Sequence, residues 1–145
     1  MGLELFTIAF RDKDVAPYPR SVVEDIFNRD ALEPHAPLVN VLYADSAGEI
    51  YGADEDEITG IMVAHFGGPT ILERVFELAV KTNSLICWTS GAPRYGGVTS
   101  REMLDHLPDG IDRAKIAIIQ NVDEFLQAYT ETPESIEASH EKTVR

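Results

Sequence analysis

The side chains in this sequence able to do chemistry are few. They are four histidines, one cysteine, two glycine pairs ahead of helix-like stretches, and a run of carboxylates. His35, His65, His106 and His140 are widely separated, and no H-x-x-x-H or H-E-x-x-H spacing sets two imidazoles on one helical face. No metal site is expected. His65 falls at the end of an apolar strand-like stretch, between Ala64 and Phe66, where an imidazole hydrogen-bonded into the structure is favoured over a general base. Cys87, between Ile86 and Trp88, reads as a small core hydrophobe with no neighbouring charge in the sequence to lower its pKa. Ser90-Gly91 does not make the G-x-S-x-G nucleophile elbow, and Asp54-Glu55-Asp56-Glu57 lacks the spacing of a calcium loop. The acidic run is expected to be a solvated hairpin tip.

The glycine pairs offer the one candidate ligand site. FGGPTILE (66–73) and YGGVTSRE (95–102) share an aromatic-Gly-Gly-x-Thr-x-x-Glu pattern, 29 residues apart. A Gly-Gly turn leading into a helix can present free backbone N–H groups to an anion, helped by the helix dipole. Neither copy is a G-x-G-x-x-G or a G-x-x-x-x-G-K-[ST], and neither has a lysine in the turn. Thr70 with Glu73 and Thr99 with Glu102 also read as capping boxes, with Pro69 as an alternative first helical residue. The purely structural reading is therefore favoured. If a ligand does bind, the loops after the fourth, fifth and sixth expected strands should share the edge that receives it. That expectation brings together His65, Gly67, Gly68, Thr89, Ser90, Arg94, Tyr95, Gly96, Gly97 and Asn121.

The elements that must position these residues follow from hydrophobic period and punctuation. Residues 3–10 alternate as a half-buried strand. Ser21 and Glu24 cap a short helix over 22–27, and the two prolines of ALEPHAP break it. Strands are expected at 38–44, 50–52 and 58–66, with DSAGE (45–49) as a turn, making an antiparallel meander. A helix over 70–81 follows, then the buried strand SLICWT, a glycine-rich loop, the short helix SREMLDHL, the buried strand KIAIIQ, and a helix capped by Asn121 and Glu124. The fold class is mixed α/β: one sheet, with a meander in the first half and βαβ crossovers in the second, covered by helices. Val63, Phe66, Ile86, Trp88, Ile116 and Ile118 should be largely buried. Residues 1–130 are expected to form one domain, and 131–145 a polar tail, either a solvated helix or disordered.

Charge and composition bound the function. The 145 residues carry 25 acidic against 12 basic side chains, a formal charge of -13 that repels nucleic acid and anionic membranes. One cysteine permits no intrachain disulfide, no apolar run reaches a membrane span, and MGLELFTIAF lacks the features of a signal peptide, so a cytoplasmic protein is expected. No cofactor motif is present, and none is expected. Between Asp45 and Glu57 the chain has six carboxylates and no basic residue: Asp45, Glu49, Asp54, Glu55, Asp56 and Glu57. These are the candidate partner-binding residues, and a basic protein is the partner they fit. No motif assigns the chain to a family, but small, acidic, motif-poor α/β domains occur among the immunity proteins that neutralise toxins, and the chain's size and charge are compatible with that class, which assigns no site residue. The function expected is a non-enzymatic interaction module of inhibitor type. A small-ligand or anion-binding domain using the Gly-Gly loops, and an enzyme of another type, are the alternatives.

Overall fold

The structure is a computed structural model that describes residues 4–27, 38–88 and 95–129. Its fold is mixed α/β, and the described residues form a large, mostly antiparallel sheet, a two-stranded one, and three α-helices. The strands are β1 (Glu4–Arg11), β2 (Asp14–Val15), β3 (Tyr18–Pro19), β4 (Leu38–Tyr43), β5 (Ser46–Tyr51), β6 (Glu57–Ile58), β7 (Gly60–Gly67), β8 (Ser84–Trp88), β9 (Gly96–Val98) and β10 (Ile116–Ile118). The helices are α1 (Arg20–Phe27), α2 (Pro69–Thr82) and α3 (Val122–Tyr129). In the large sheet the order is β10-β9-β8-β1-β7-β5-β4, with β2 folded back on β1. Strands β3 and β6 pair apart from it.

The meander is β4-β5-β7. Its hairpin turns at Ala44 and Asp45, because Tyr43 pairs with Ser46, so residues 46–49 lie in β5 and not in the expected turn. Their small size serves packing. A Cβ on Gly48 would stand 3.3 Å from both Ile71 and the Cβ of Phe66, so bulk here would push α2 off the sheet.

Two crossovers shape the second half. Strands β7 and β8, joined through α2, are parallel to each other, since β1 lies between them and is antiparallel to both. The second crossover starts one strand later than expected. YGGV is not a loop: β9 pairs antiparallel with β8 and parallel with β10. Of the expected helix SREMLDHL, only a 3-10 segment, Glu102–His106, forms within that crossover.

Alternation sorts the side chains onto two faces. Leu5, Ile50, Val63, Ile86 and Trp88 point to the face covered by the helices, where Val23 and Phe27 of α1, Ile71, Val75 and Leu78 of α2, and Phe125 of α3 complete the main core. Trp88 stands 6.1 Å from Phe125, and Tyr129 lies 6.1 Å from Phe66. Of the expected core residues, Val63, Ile86, Trp88 and Ile116 are buried, while Phe66 and Ile118 are partly buried. On the opposite face a smaller core gathers Phe10, Leu85, Val98 and Ile116 beneath Met103 and Leu107. That cover extends over one side of the sheet only. The expected tail, 131–145, lies outside the described residues.

Candidate functional site

Each helix start shows what the glycines and caps do. Helix α2 begins at Pro69 with Gly68 as its N-cap at φ 92°, and Thr70 does not cap it. The backbone N–H of Ile71 instead donates to Ser46 Oγ (2.9 Å), and Ser46 Oγ–H donates to the Gly67 carbonyl (2.7 Å). Thr70 Oγ1 donates to Asp45 Oδ1 at 2.6 Å. The β4–β5 turn thus supplies both the hydroxyl and the carboxylate at this helix start, the chemistry a bound anion would otherwise bring. The second glycine pair works differently. Gly96 and Gly97 are buried in β9, and a Cβ on Gly96 would meet the Ile86 carbonyl at 2.9 Å. The 3-10 segment beyond starts at Arg101 without a side-chain cap, and it is Ser100, not Thr99, whose hydroxyl accepts from the N–H of Met103 (3.3 Å).

The expected crevice is only partly assembled. His65, Gly67, Gly68 and Tyr95 lie towards one end of the sheet, near the carboxyl ends of β7 and β8. Asn121 is at the other end, because β9 reverses the chain and so reverses β10. There it caps α3, accepting from Glu124 N–H (2.9 Å), while Glu124 accepts from Gln120 N–H (2.7 Å). Tyr95 packs on the smaller core, and a Cβ on Gly97 would crowd Trp88 and Ile119. Thr89, Ser90 and Arg94 lie outside the described residues, as do His35 and His140. Among the described residues no three His, Cys, Asp or Glu side chains cluster to hold a metal. No helix among them is long and apolar enough to cross a membrane.

What the structure does bring together is one residue from each candidate list. Opposite Gly48 of β5, strand β7 spends two residues, His65 and Phe66, a β-bulge in which His65 takes φ 47°. Histidine tolerates this left-handed region better than most side chains. His65 Nδ1 donates to Glu49 Oε1 at 2.5 Å, and the same oxygen accepts from the Tyr51 hydroxyl at 3.3 Å. The His65 hydrogen bond holds the Glu49 carboxyl below the usual glutamate range. His65 remains 67% exposed.

This group sits on the sheet face that, among the described residues, no helix covers. Over β4, β5, β7 and the start of β1, the register sets Leu38, Tyr51, Met62, Phe6 and Cys87 in one row across the strands. The next row is Asn40, Glu49, Ala64 and Glu4. A cleft of about 410 Å³ opens on this face, lined by Phe6, Ile8, Val15, Tyr51, Met62 and the backbone around Gly60. Its lining also includes Gly52 and Thr59, the two ends of the loop that carries Asp54, Glu55 and Asp56, with Glu57 in β6. The Glu4–Glu49 row thus borders the apolar cleft on one side. Of the six candidate partner-binding residues only Glu49 is placed on this face: Ala53 and Ile58, on either side of the acidic run, pack into the main core on the helix side, the Asp56 carbonyl accepts from the Arg20 N–H at the start of α1, and Asp45 is engaged by Thr70. Cys87 ends the apolar row, packed against the smaller core, and burial pushes its thiol up to about 11. Sequence reasoning missed Phe6, Tyr51 and Met62. Their alternation with buried neighbours marked a strand, but only the uncovered face makes them a surface.

Comparison with protein families, with curated proteins and with solved structures gives no match to this chain.

Proposed function

We propose that this protein is a non-enzymatic interaction module whose open sheet face engages a basic protein partner, in the manner of an inhibitor that covers a cationic surface. The observation that carries this reading is the apolar cleft on the open sheet face with the Glu4–Glu49 row along its border. Apolar groups ringed by charge are how protein interfaces divide the work, with a desolvated centre supplying affinity and a charged rim supplying steering and selectivity. The excess of carboxylates over the whole chain adds a long-range field of the same sign. Binding of a toxin, as immunity proteins do, is the form of this function that the chain's size and charge fit best.

Site-specific photo-crosslinking in the native host tests the reading. A photoreactive phenylalanine analogue replacing Met62 on the open face should yield a discrete adduct with a basic protein. The same analogue replacing Val80, exposed on α2, should not. Adducts formed equally at both positions, or only through α2, would remove the sheet face as the binding surface.

The cleft also supports a second reading as a small-ligand site, since its volume falls within the ~300–1,000 Å³ of such sites. Saturable protection of the Met62 analogue by a metabolite fraction from the host would favour that alternative.

A further inference from the structure

Strand β4 ends the large sheet, and among the described residues it pairs only with β5. Every second residue of such a strand turns its N–H and C=O outward, and these groups gain by meeting another strand. Proteins usually blunt an edge of this kind with a lysine, a proline, a bulge or extreme shortness. LVNVLY has none of these: it runs in unbroken register with β5 for six pairs and carries no acidic or basic side chain. Two large apolar side chains also stand out from it, Leu42 at 82% exposure and Leu38 at 39%.

We propose that this edge pairs antiparallel with the β4 edge of a second copy of the chain, in the register that sets Asn40 of one copy against Asn40 of the other. Three features commit the edge to a second copy. Two-fold pairing about Asn40 places Leu38 opposite Leu42 of the second copy and Val39 opposite Val41. Each side chain thus meets one from the same face, so exposed leucines cover exposed leucines and the buried valines continue the core face. An asparagine amide carries both donor and acceptor, and is its own complement at the axis. Finally, bodies of charge -13 repel one another, and residues 38–44 carry no carboxylate that would add to this repulsion at the contact. The opposite edge of the sheet, β10, offers only three residues.

Pairing in this register also extends the polar row. Glu4, Ala64, Glu49 and Asn40 of one copy run directly into Asn40, Glu49, Ala64 and Glu4 of the other, doubling the acidic strip. The dimer does not depend on the partner-binding reading, and its test does not use a partner.

Sedimentation velocity of the full chain, from low micromolar to submillimolar concentration, should show a reversible monomer–dimer equilibrium. Two double variants test the register: Leu38→Lys with Leu42→Lys, and Leu38→Glu with Leu42→Glu. Each should keep the wild-type circular dichroism and raise the dimer dissociation constant more than about tenfold, because like charges are set directly opposite. An equimolar mixture of the two should recover a dimer, since each lysine then meets a glutamate. A wild type that stays monomeric throughout would overturn the proposal. So would open-ended oligomers, a dimer indifferent to both double variants, or a mixture that fails to associate.

Discussion

Glu49 and His65 are 16 residues apart, and a bulge in β7 makes them neighbours. Both were legible as candidates, one for charge and one for chemistry. Their pairing was not, because it depends on an extra residue that no local signal announces. Since the Glu49 carboxyl is held low chiefly by the His65 hydrogen bond, its pair with His65 contributes above the ordinary glutamate pKa and is lost as pH falls through the depressed value. A carboxyl-carbon NMR titration should place Glu49 below a typical glutamate, and His65→Ala should bring it back up. A titration that does not move would deny the hydrogen bond. The adjacent glycines of HFGGP make a sharper contrast. Gly68 holds φ 92°, and a Cβ there would fall 2.1 Å from the Asp45 carbonyl, whereas a Cβ on Gly67 meets nothing within 4 Å. Gly68→Ala should therefore lose more than about 2 kcal/mol in urea denaturation, while Gly67→Ala stays within about 1 kcal/mol. Comparable losses would mean that the α2 entry is not built as described. Cys87, with its thiol pushed up to about 11 by burial, should react slowly with a thiol reagent at neutral pH until the protein is denatured.

The long elements follow from their periods: the alternation of β1, the apolar stripe of α2, and the unbroken apolar run of β8 were all readable. So was the Asn121–Glu124 cap of α3. The β9 strand was not, because two glycines ordinarily signal a turn and here give room for the Ile86 carbonyl and for Trp88. That one misreading propagates. An unrecognised strand inverts the direction of β10, which moves Asn121 to the far end of the sheet and divides the expected crevice. The α2 cap shows the same limit, since a Thr-x-x-Glu pattern fits the sequence but Ser46, from a distant hairpin, makes the bond. Ser46 is nearly buried and bridges the Gly67 carbonyl to the Ile71 N–H. Ser46→Ala should then lose about 1–2 kcal/mol, the scale of a lost cap with a buried donor left open, and Thr70→Ala clearly less. Equal losses, measured by chemical denaturation, would return the capping role to Thr70.

Over the whole molecule, the decisive asymmetry is in how the two faces of one sheet are covered. Three helices close one face, while the crossover between β9 and β10 closes only part of the other. Ile86 lies at the centre of the closed face with no exposure, so Ile86→Ala should destabilise by about 2–5 kcal/mol. A neutral result would contradict the packing described. The open face is where the apolar row, the cleft and the carboxylates of Glu4 and Glu49 coincide, and sequence could supply the acidic count but not this coincidence. On the reading proposed above, carboxylates beside the cleft, and not acidity in general, select the partner. The dissociation constant of the captured partner, compared across three forms of the protein, decides it. The forms are the wild type, Glu4→Gln with Glu49→Gln beside the cleft, and Glu73→Gln with Asp123→Asn on the exposed helix layer, which removes the same charge. The cleft pair should weaken binding by about tenfold or more, and the helix-layer pair by less than about threefold. Equal weakening by both pairs would reduce the interaction to net charge and contradict the account.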